Sequence, residues 1–128
     1  MIDHLSIPVS DLSRAAAFYD AVLATLGLTR RKERADAIGY GPPTRAAPIF
    51  WILDCARHGS ATSGSGLHVS FAAPDRASVN AFHAAALRHG GQDAGAPGLR
   101  PQYTMPFYGA FAFDPDGFKI EAVCRAPE

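Results

Sequence analysis

Three side chains of this sequence have the types and the spacing of a metal site. His4 and His68 lie 64 positions apart, half the length of the 128-residue chain, and each opens an alternating apolar run typical of a half-buried strand. Glu121 is a carboxylate inside an apolar strand-like segment near the C-terminus. Two imidazoles and one carboxylate that face one cavity can hold a divalent ion and leave coordination positions open for a substrate. These ligand types suit Fe, Mn, Ni, Co or Zn and do not select among them.

Each of these side chains also has a structural interpretation. His4 can be a hydrogen-bonded residue near the N-terminus, His68 a satisfied core histidine, and Glu121 one half of an ion pair with an arginine. The internal repeat described next favours the shared metal, because it places both histidines at one equivalent position. The other three histidines fall in a linker or on a helix, and we expect them to be solvated: His58, His83 and His89.

An internal repeat sets the environment of the two histidines. Residues from position 4 onward reappear from position 68 without a gap, and the matched pairs include His4/His68, Ser6/Ser70, Asp11/Asp75, Phe18/Phe82 and Gly27/Gly91. Each copy begins with an alternating strand pattern, continues with an amphipathic helix behind an Asp cap, and ends the helix at glycine. The histidines must point to the strand face opposite the helix-packing residues.

Short strand-like runs follow each helix. They cover 29–34, 37–41 and 48–54 in the first copy, and 92–96, 108–114 and 118–124 in the second, with a tight turn at 114–117 that predicts a hairpin. The sequence therefore predicts an α+β domain of two tandem βαβββ modules, residues 1–54 and 66–128, joined by a linker at 55–65. We expect a cupped, barrel-like mixed β-sheet with the helices outside and a long binding loop at 97–107.

Aromatic and cationic residues supply candidates for the walls of the cup. The predicted pocket residues are Tyr40, Phe50, Trp51, Tyr103, Phe107 and Tyr108. Tyr103 or Tyr108 is the candidate acid, base or positioning group, and Arg45 and Arg100 are candidates for holding an anionic substrate.

Composition restricts the partners. The chain has twelve basic and twelve acidic residues and 48% hydrophobic residues, which describes a globular protein without the basic excess of a nucleic-acid binder. No apolar run approaches the roughly 18 residues of a bilayer span, and the N-terminus has no secretory pattern, so we expect a cytoplasmic protein that binds neither membranes nor nucleic acid. Its two cysteines, Cys55 and Cys124, lack metal or redox spacing.

Together these segments resemble the vicinal oxygen chelate superfamily, also called the glyoxalase/bleomycin resistance/dioxygenase family. The resemblance rests on Asp3–Asp11 at the start, Leu67–Phe71 at the midpoint and Asp114–Val123 at the end. It implies paired βαβββ modules, a divalent ion held at the positions of His4, His68 and Glu121, and chelation of adjacent substrate oxygens by that ion. It also implies homodimers in which the two modules around one site can come from different subunits.

The resemblance leaves the reaction open. A glyoxalase I has a further glutamate ligand on the strand that here reads Pro48–Leu53, and an extradiol dioxygenase needs an additional histidine that this chain does not offer. Our first hypothesis is a metal-dependent glyoxalase-like enzyme, of lyase, isomerase or dioxygenase type, acting on a small oxygenated metabolite. The alternative is a metal-free protein of the bleomycin-resistance type that sequesters a planar compound by stacking on Trp51 and the tyrosines.

Overall fold

The computed structural model describes residues 1–58, 66–104 and 106–127, except for the side chains of residues 57 and 58. The first half contains β1 (Leu5–Val9), α1 (Leu12–Ala24), β2 (Thr29–Arg34), β3 (Ala37–Gly41) and β4 (Phe50–Asp54), followed by the short helix α2 (Cys55–His58). The second half contains β5 (His68–Ala72), α3 (Arg76–Arg88), β6 (Gln92–Leu99), β7 (Tyr108–Phe113) and β8 (Lys119–Cys124). The order β, α, then three β is the one predicted for each copy.

Each half forms a mixed four-stranded sheet with the same topology. In sheet A the order is β1-β4-β3-β2, and in sheet B it is β5-β8-β7-β6. The first strand of each half pairs in parallel with the last, and the other neighbours are antiparallel. Register repeats as well, since Ser6 lies beside Trp51 in sheet A just as Ser70 lies beside Glu121 in sheet B. The duplicated sequence therefore folds as a duplicated structure, and the predicted α+β fold of paired modules is confirmed.

The two long helices cover one face of the sheets and create the core. Asp11 caps α1 by accepting from the backbone N–H of Arg14 at 3.0 Å, and Asp75 caps α3 in the same way through the N–H of Ser78 at 2.7 Å. The apolar stripe of α1 packs on the inward residues of sheet A, which include Ile7, Val9, Ile38, Tyr40, Phe50 and Ile52. In the described part of the chain, the opposite face of each sheet carries no long helix of its own module, and we call it the open face.

Contacts between the modules join the two cores. The Tyr19 hydroxyl on α1 donates to Oδ2 of Asp114, in the turn between β7 and β8, at 2.6 Å. The ring of Phe50 on β4 meets that of Phe71 on β5 edge to face with centroids 5.2 Å apart. A small cavity of about 90 Å³ lies between β1 and β5, so the first strands of the two sheets are neighbours. The apolar core is continuous across both modules.

Several sequence expectations need correction at the level of single elements. Strand β6 continues to Leu99, so the loop that follows it is shorter than the predicted 97–107, and the linker begins with a helical turn. His83 is only 8% exposed and bonds to Asp93 through Nε2 at 2.8 Å, so the prediction of a solvated His83 is wrong. His89 is exposed. The side chain of His58 and linker residues 59–65 lie outside the described part of the chain.

The helices also bear on the question of membranes. The two longest have 13 residues each. Within residues 1–58, 66–104 and 106–127, no helix has the length and apolar character needed to cross a bilayer.

Candidate functional site

Glu121 and His68 form the charged centre of the open face of sheet B. The register of β5 against β8 places His68 beside Lys119 and Ser70 beside Glu121, so all four side chains emerge on one face. Nε2 of His68 lies 3.4 Å from Oε1 of Glu121. The ring of Phe111, on the neighbouring strand, approaches the imidazole edge to face at 5.9 Å between centroids. Two of the three predicted metal ligands are therefore together.

The carboxylate of Glu121 is buried without a full set of partners. The residue is 3% exposed, and Oε2 has no hydrogen-bond donor among the described residues. The backbone of Gly109 packs close to this oxygen, because a Cβ at that position would lie 3.4 Å from Oε2 and 2.9 Å from Cε1 of Phe107. A buried carboxylate oxygen without a donor is costly, so the site is chemically suited to a cation.

Both candidate histidines present the same ring nitrogen. His4 Nδ1–H donates to Oδ1 of Asp3 at 2.8 Å, and His68 Nδ1–H points to the carbonyl oxygen of Gly66 at 3.4 Å. In the tautomer that these contacts favour, Nε2 of each ring carries a lone pair that can bind a metal. An acceptor behind Nδ1 is the usual support of a metal-binding histidine.

His4 does not join the other two candidates within one chain. It lines a different cavity, on the open face of sheet A, whereas His68 borders the small cavity between β1 and β5. Among the described residues, no three His, Cys, Asp or Glu side chains are grouped closely enough to bind one metal ion. A three-ligand site therefore needs either a rearrangement or a second copy of the chain.

The larger cavity, about 630 Å³, lies over the open face of sheet A. Strand register arranges this face in two rows: Lys32, Gly39, Trp51 and Ser6 form one, and Arg34, Ala37, Leu53 and Pro8 form the other. Asp3, His4 and Asp36 line the same cavity. Its volume is typical of sites for small organic molecules.

Trp51 is the one predicted wall residue of sheet A that reaches this cavity. Tyr40 and Phe50 are paired across β3 and β4 and point to the helices instead, with exposures of 0% and 1%. The Tyr40 hydroxyl donates to Oδ1 of Asp20 on α1 at 2.8 Å. Because successive residues of a strand face opposite sides, Phe50 and Trp51 cannot both line one pocket. The structure thus places Tyr40 and Phe50 in the core rather than in the site.

The predicted residues of the second module also divide between the two faces. Tyr108 turns toward α3, where its hydroxyl donates to Oδ1 of Asn80 at 2.8 Å, so it does not face Glu121. Tyr103 lies exposed on the loop before β7 and stacks edge to face on Phe107, whose side chain closes the space next to Gly109. Arg100 lies over the ring of Phe111, with its guanidinium carbon 5.9 Å from the centroid.

Lys32 and Arg34 are wall residues that sequence reasoning missed. Regular alternation along β2 would put Arg30, Lys32 and Arg34 on one face. A β-bulge between Arg30 and Lys32 breaks that alternation, so that Arg30 reaches Asp20 on the helix side and the other two face the cavity. The run of charged residues in β2 is visible in the sequence. Which of these side chains face the cavity depends on a β-bulge that no sequence pattern predicts.

Comparison with known proteins agrees with the fold described above. The profile of the Glyoxalase/Bleomycin resistance protein/Dioxygenase superfamily matches residues 1–122. A glyoxalase/bleomycin resistance protein from Albidiferax ferrireducens T118 is 36% identical, with a TM-score of 0.83 over 97% of this chain and 98% of that one. No curated protein matches the chain at a significant level.

More distant structures share the fold. A glyoxalase/bleomycin resistance protein/dioxygenase family enzyme from Burkholderia phytofirmans PsJN is 16% identical, with a TM-score of 0.73 over 98% of both chains. A glyoxalase I variant from Zea mays is 21% identical, with a TM-score of 0.68, and its match covers 95% of this chain but 46% of the maize chain. The profile match over nearly the whole chain and the 36% identical relative show that this chain belongs to the glyoxalase/bleomycin resistance/dioxygenase superfamily.

Proposed function

We propose that this protein is a metal-dependent enzyme acting on a small oxygenated metabolite, with His4, His68 and Glu121 as the ligands of a divalent ion. The single observation that carries the proposal is the buried carboxylate of Glu121, whose Oε2 lacks a donor while Nε2 of His68 stands 3.4 Å from Oε1. A divalent cation would satisfy that carboxylate and use the lone pair of His68 at the same time.

The third ligand is proposed to come from a second copy of the chain. His4 presents Nε2 over the open face of sheet A, and His68 and Glu121 occupy the open face of sheet B. Two copies related by a twofold axis can place one open face over the other and form two equivalent sites. Large apolar side chains stay exposed in the single chain, among them Leu67, Leu99 and Tyr103, and a second copy would cover such surface.

The residues around the proposed centre suggest how the chemistry is divided. A bound divalent ion supplies Lewis acidity, which stabilises negative charge on adjacent substrate oxygens. Glu121 would act as a ligand of that ion, because its Oε2 is buried and has no donor among the described residues. Phe107 and Phe111 keep water away from the carboxylate, since both are buried beside it. Tyr103, exposed on the neighbouring loop, remains the candidate for positioning the substrate.

Strand register supports three protein ligands rather than four. Trp51 occupies in sheet A the place that Glu121 occupies in sheet B, since each lies beside the equivalent serine, Ser6 or Ser70. An indole cannot replace the second glutamate that glyoxalase I uses on this strand. Reactions that need an open coordination position therefore fit the residues better than an isomerisation that needs two carboxylates.

A second candidate function is metal-free binding of a planar compound. The cavity of about 630 Å³ over sheet A, with Trp51 in its wall, favours it because that cavity is complete within one chain. A binder of this kind would use stacking and would not need Glu121.

Elemental analysis separates the two functions. Protein produced without a His-tag, incubated with each candidate ion and freed of excess, should retain about one ion per chain. His68→Ala and Glu121→Gln should lose it, because each removes a ligand. His89→Ala is the matched control, since it removes an exposed imidazole at the end of α3. No retained metal in the unmodified protein would reject the enzyme and favour the binder.

Mixed dimers test whether the site spans two copies. His4→Ala and His68→Ala each destroy both sites of a homodimer. In a mixed dimer of the two variants, a shared site is restored once, because the intact His4 of one chain meets the intact His68 of the other. Metal retention should return after the two variants are unfolded and refolded together. A site contained in one chain would show no recovery.

A further inference from the structure

We infer that the cavity over sheet A selects planar carboxylates, with Lys32 and Arg34 binding the anionic group and Trp51 stacking on the ring. The inference names the substrate class of the site proposed above and rests on that proposal for the position of the substrate. The wall itself belongs to one chain, so it can be tested without the metal.

The β-bulge in β2 is the first observation behind this inference. It turns Arg30 and Glu33 to the helix side, where Nη1 of Arg30 donates to Oε1 of Glu33 at 2.7 Å. Lys32 and Arg34 are left on the cavity side. Bulges commonly serve to aim side chains next to functional sites. Two neighbouring cations therefore face one small-molecule cavity because of a specific backbone irregularity.

The acidic residues of the same wall are already engaged. Oδ2 of Asp3 accepts from Nη2 of Arg45 at 2.8 Å, and Oδ1 accepts from His4 at 2.8 Å. Asp36 is also not without a partner. The described contacts include no ion pair for Lys32, so this cation is available to a ligand.

Trp51 provides a flat aromatic surface on the same face as the two cations. Its ring lies against Gly39, where a Cβ would approach the indole to 3.0 Å, so the small residue makes room for it. The guanidinium of Arg34 lies 5.2 Å from the indole centroid. A planar ligand resting on the indole would direct an anionic group toward Lys32 or Arg34, which lie in the two rows of the open face.

The second module also has cations over its open face, but they do not come from β6: Arg100 and Lys119 lie over the ring of Phe111. Sheet B carries the same kind of bulge between Asp93 and Gly95, but glycines stand in β6 where Lys32 and Arg34 stand in β2, namely Gly95 and Gly98. The guanidinium of Arg100 lies beside both glycines, because a Cβ on Gly95 or Gly98 would stand 3.4 or 3.1 Å from its nitrogens. The cations of this region therefore come from β2 in sheet A and from the residue after β6 in sheet B.

Fluorescence of Trp51 gives a direct test, because it is the only tryptophan in the chain. The probes are 4-nitrobenzoate and 4-nitrobenzamide, which are planar quenchers of similar shape that differ in charge. Titrations are run in EDTA and corrected with free N-acetyltryptophanamide. We expect the carboxylate to bind at least about tenfold more tightly than the amide, with a preference that falls as salt is added.

Variants identify the residues responsible. Lys32→Gln and Arg34→Gln should each lower the affinity for 4-nitrobenzoate by roughly tenfold and leave that for 4-nitrobenzamide nearly unchanged. Arg31→Gln is the matched control, since it removes one charge from the same strand without altering a residue of the cavity wall. Equal affinity for the two probes would overturn the inference, and so would an equal loss in Arg31→Gln.

The outcome is separable from that of the proposed function. Selective binding in EDTA, retained in His68→Ala, supports the inference even if elemental analysis finds no metal. Selective binding that disappears in EDTA would assign the carboxylate to a metal and overturn the role of Lys32 and Arg34. Retained metal without any selectivity for the carboxylate would leave the proposed function standing and reject the substrate class.

Discussion

Removing the hydroxyl of Tyr19 should weaken the contact between the two modules. This hydroxyl donates to Oδ2 of Asp114 at 2.6 Å across the module boundary, and both residues are buried, with Asp114 3% exposed. Oδ1 of Asp114 accepts from the backbone N–H groups of Asp116 and Phe118 at 2.9 Å. In Tyr19→Phe, Oδ2 therefore keeps no described donor while the rest of the turn is unchanged.

The cost can be worked out from these contacts. A buried hydrogen bond to a charged group contributes about 1.5–3 kcal/mol, and its loss leaves a desolvated oxygen. We expect Tyr19→Phe to lower the free energy of unfolding by about 2 kcal/mol at neutral pH. For a chain of this size that corresponds to a Tm lower by about 8 °C. Tyr108→Phe is the matched control, because its exposed bond to Asn80 should be worth less than about 0.5 kcal/mol.

The penalty should also depend on pH in a defined direction. Burial raises the pKa of the Asp114 carboxyl above 3.8, and the hydrogen bond from Tyr19 opposes that rise. Burial likewise raises the pKa of Tyr19 well above its ordinary value, so the phenol remains a donor. Without this donor the folded-state pKa of Asp114 rises further. A raised folded pKa costs stability as pH increases from the unfolded value through the folded one, so the deficit should grow with pH.

Urea unfolding at fixed protein concentration, followed from about pH 4 to about pH 8, measures both effects. The difference between the unmodified protein and Tyr19→Phe should be smallest at the acid end and largest at neutral pH. A penalty that is constant over this range, or no larger than that of Tyr108→Phe, would refute the reasoning about the buried carboxylate.

Two further substitutions test other contacts. Burial opposes ionisation of Asp20, but hydrogen bonds, chiefly from Arg30, outweigh it and hold the pKa below 3.8. Asp20→Asn should therefore destabilise the fold at pH 7, and urea unfolding should show this deficit shrinking as pH falls below 3.8 and through the lower pKa of the folded state. Gly39→Ala would bring a Cβ to 2.5 Å from Cγ of Pro48, so it should cost about 1–3 kcal/mol. The same change should shift the emission of Trp51, and an unaltered spectrum would contradict the described packing.

The repeat made the fold predictable from sequence. An offset that pairs His4 with His68 and Asp11 with Asp75 marks two copies of one unit, and alternation with a capped helix defines each unit. Both caps form as predicted. These features are local, so they can be identified in a single sequence without knowledge of tertiary contacts.

The walls of the site were harder to predict, because they depend on which face a side chain takes. Phe50 and Trp51 are adjacent on one strand, so alternation puts their side chains on opposite faces of the sheet. Tyr108 points away from the site, because it is its neighbour Gly109 that shares the open face with Glu121. The side chain of Lys32 faces the cavity because of a β-bulge that the sequence does not predict. The sheet face to which a side chain points depends on strand register, and register is a tertiary property.

The two modules share their backbone but have diverged in the rows that face the proposed site. In sheet B, one row ends in Phe111, Glu121 and Ser70, whereas the equivalent row of sheet A ends in Gly39, Trp51 and Ser6. One half thus carries an acidic group and the other a broad aromatic ring. Lys32 and Arg34 of β2 lie on the open face of sheet A, whereas β6 has glycines at these positions and sheet B has Arg100 and Lys119 over the ring of Phe111.

A site formed between the open faces of sheets A and B requires that the two faces carry different residues. Charge complementarity works between two different faces, because an acidic centre attracts a metal and a cationic wall attracts the anionic group of the substrate. In the proposed site, Glu121 of sheet B would hold the ion, and Trp51, at the equivalent position of sheet A, would contact the organic molecule.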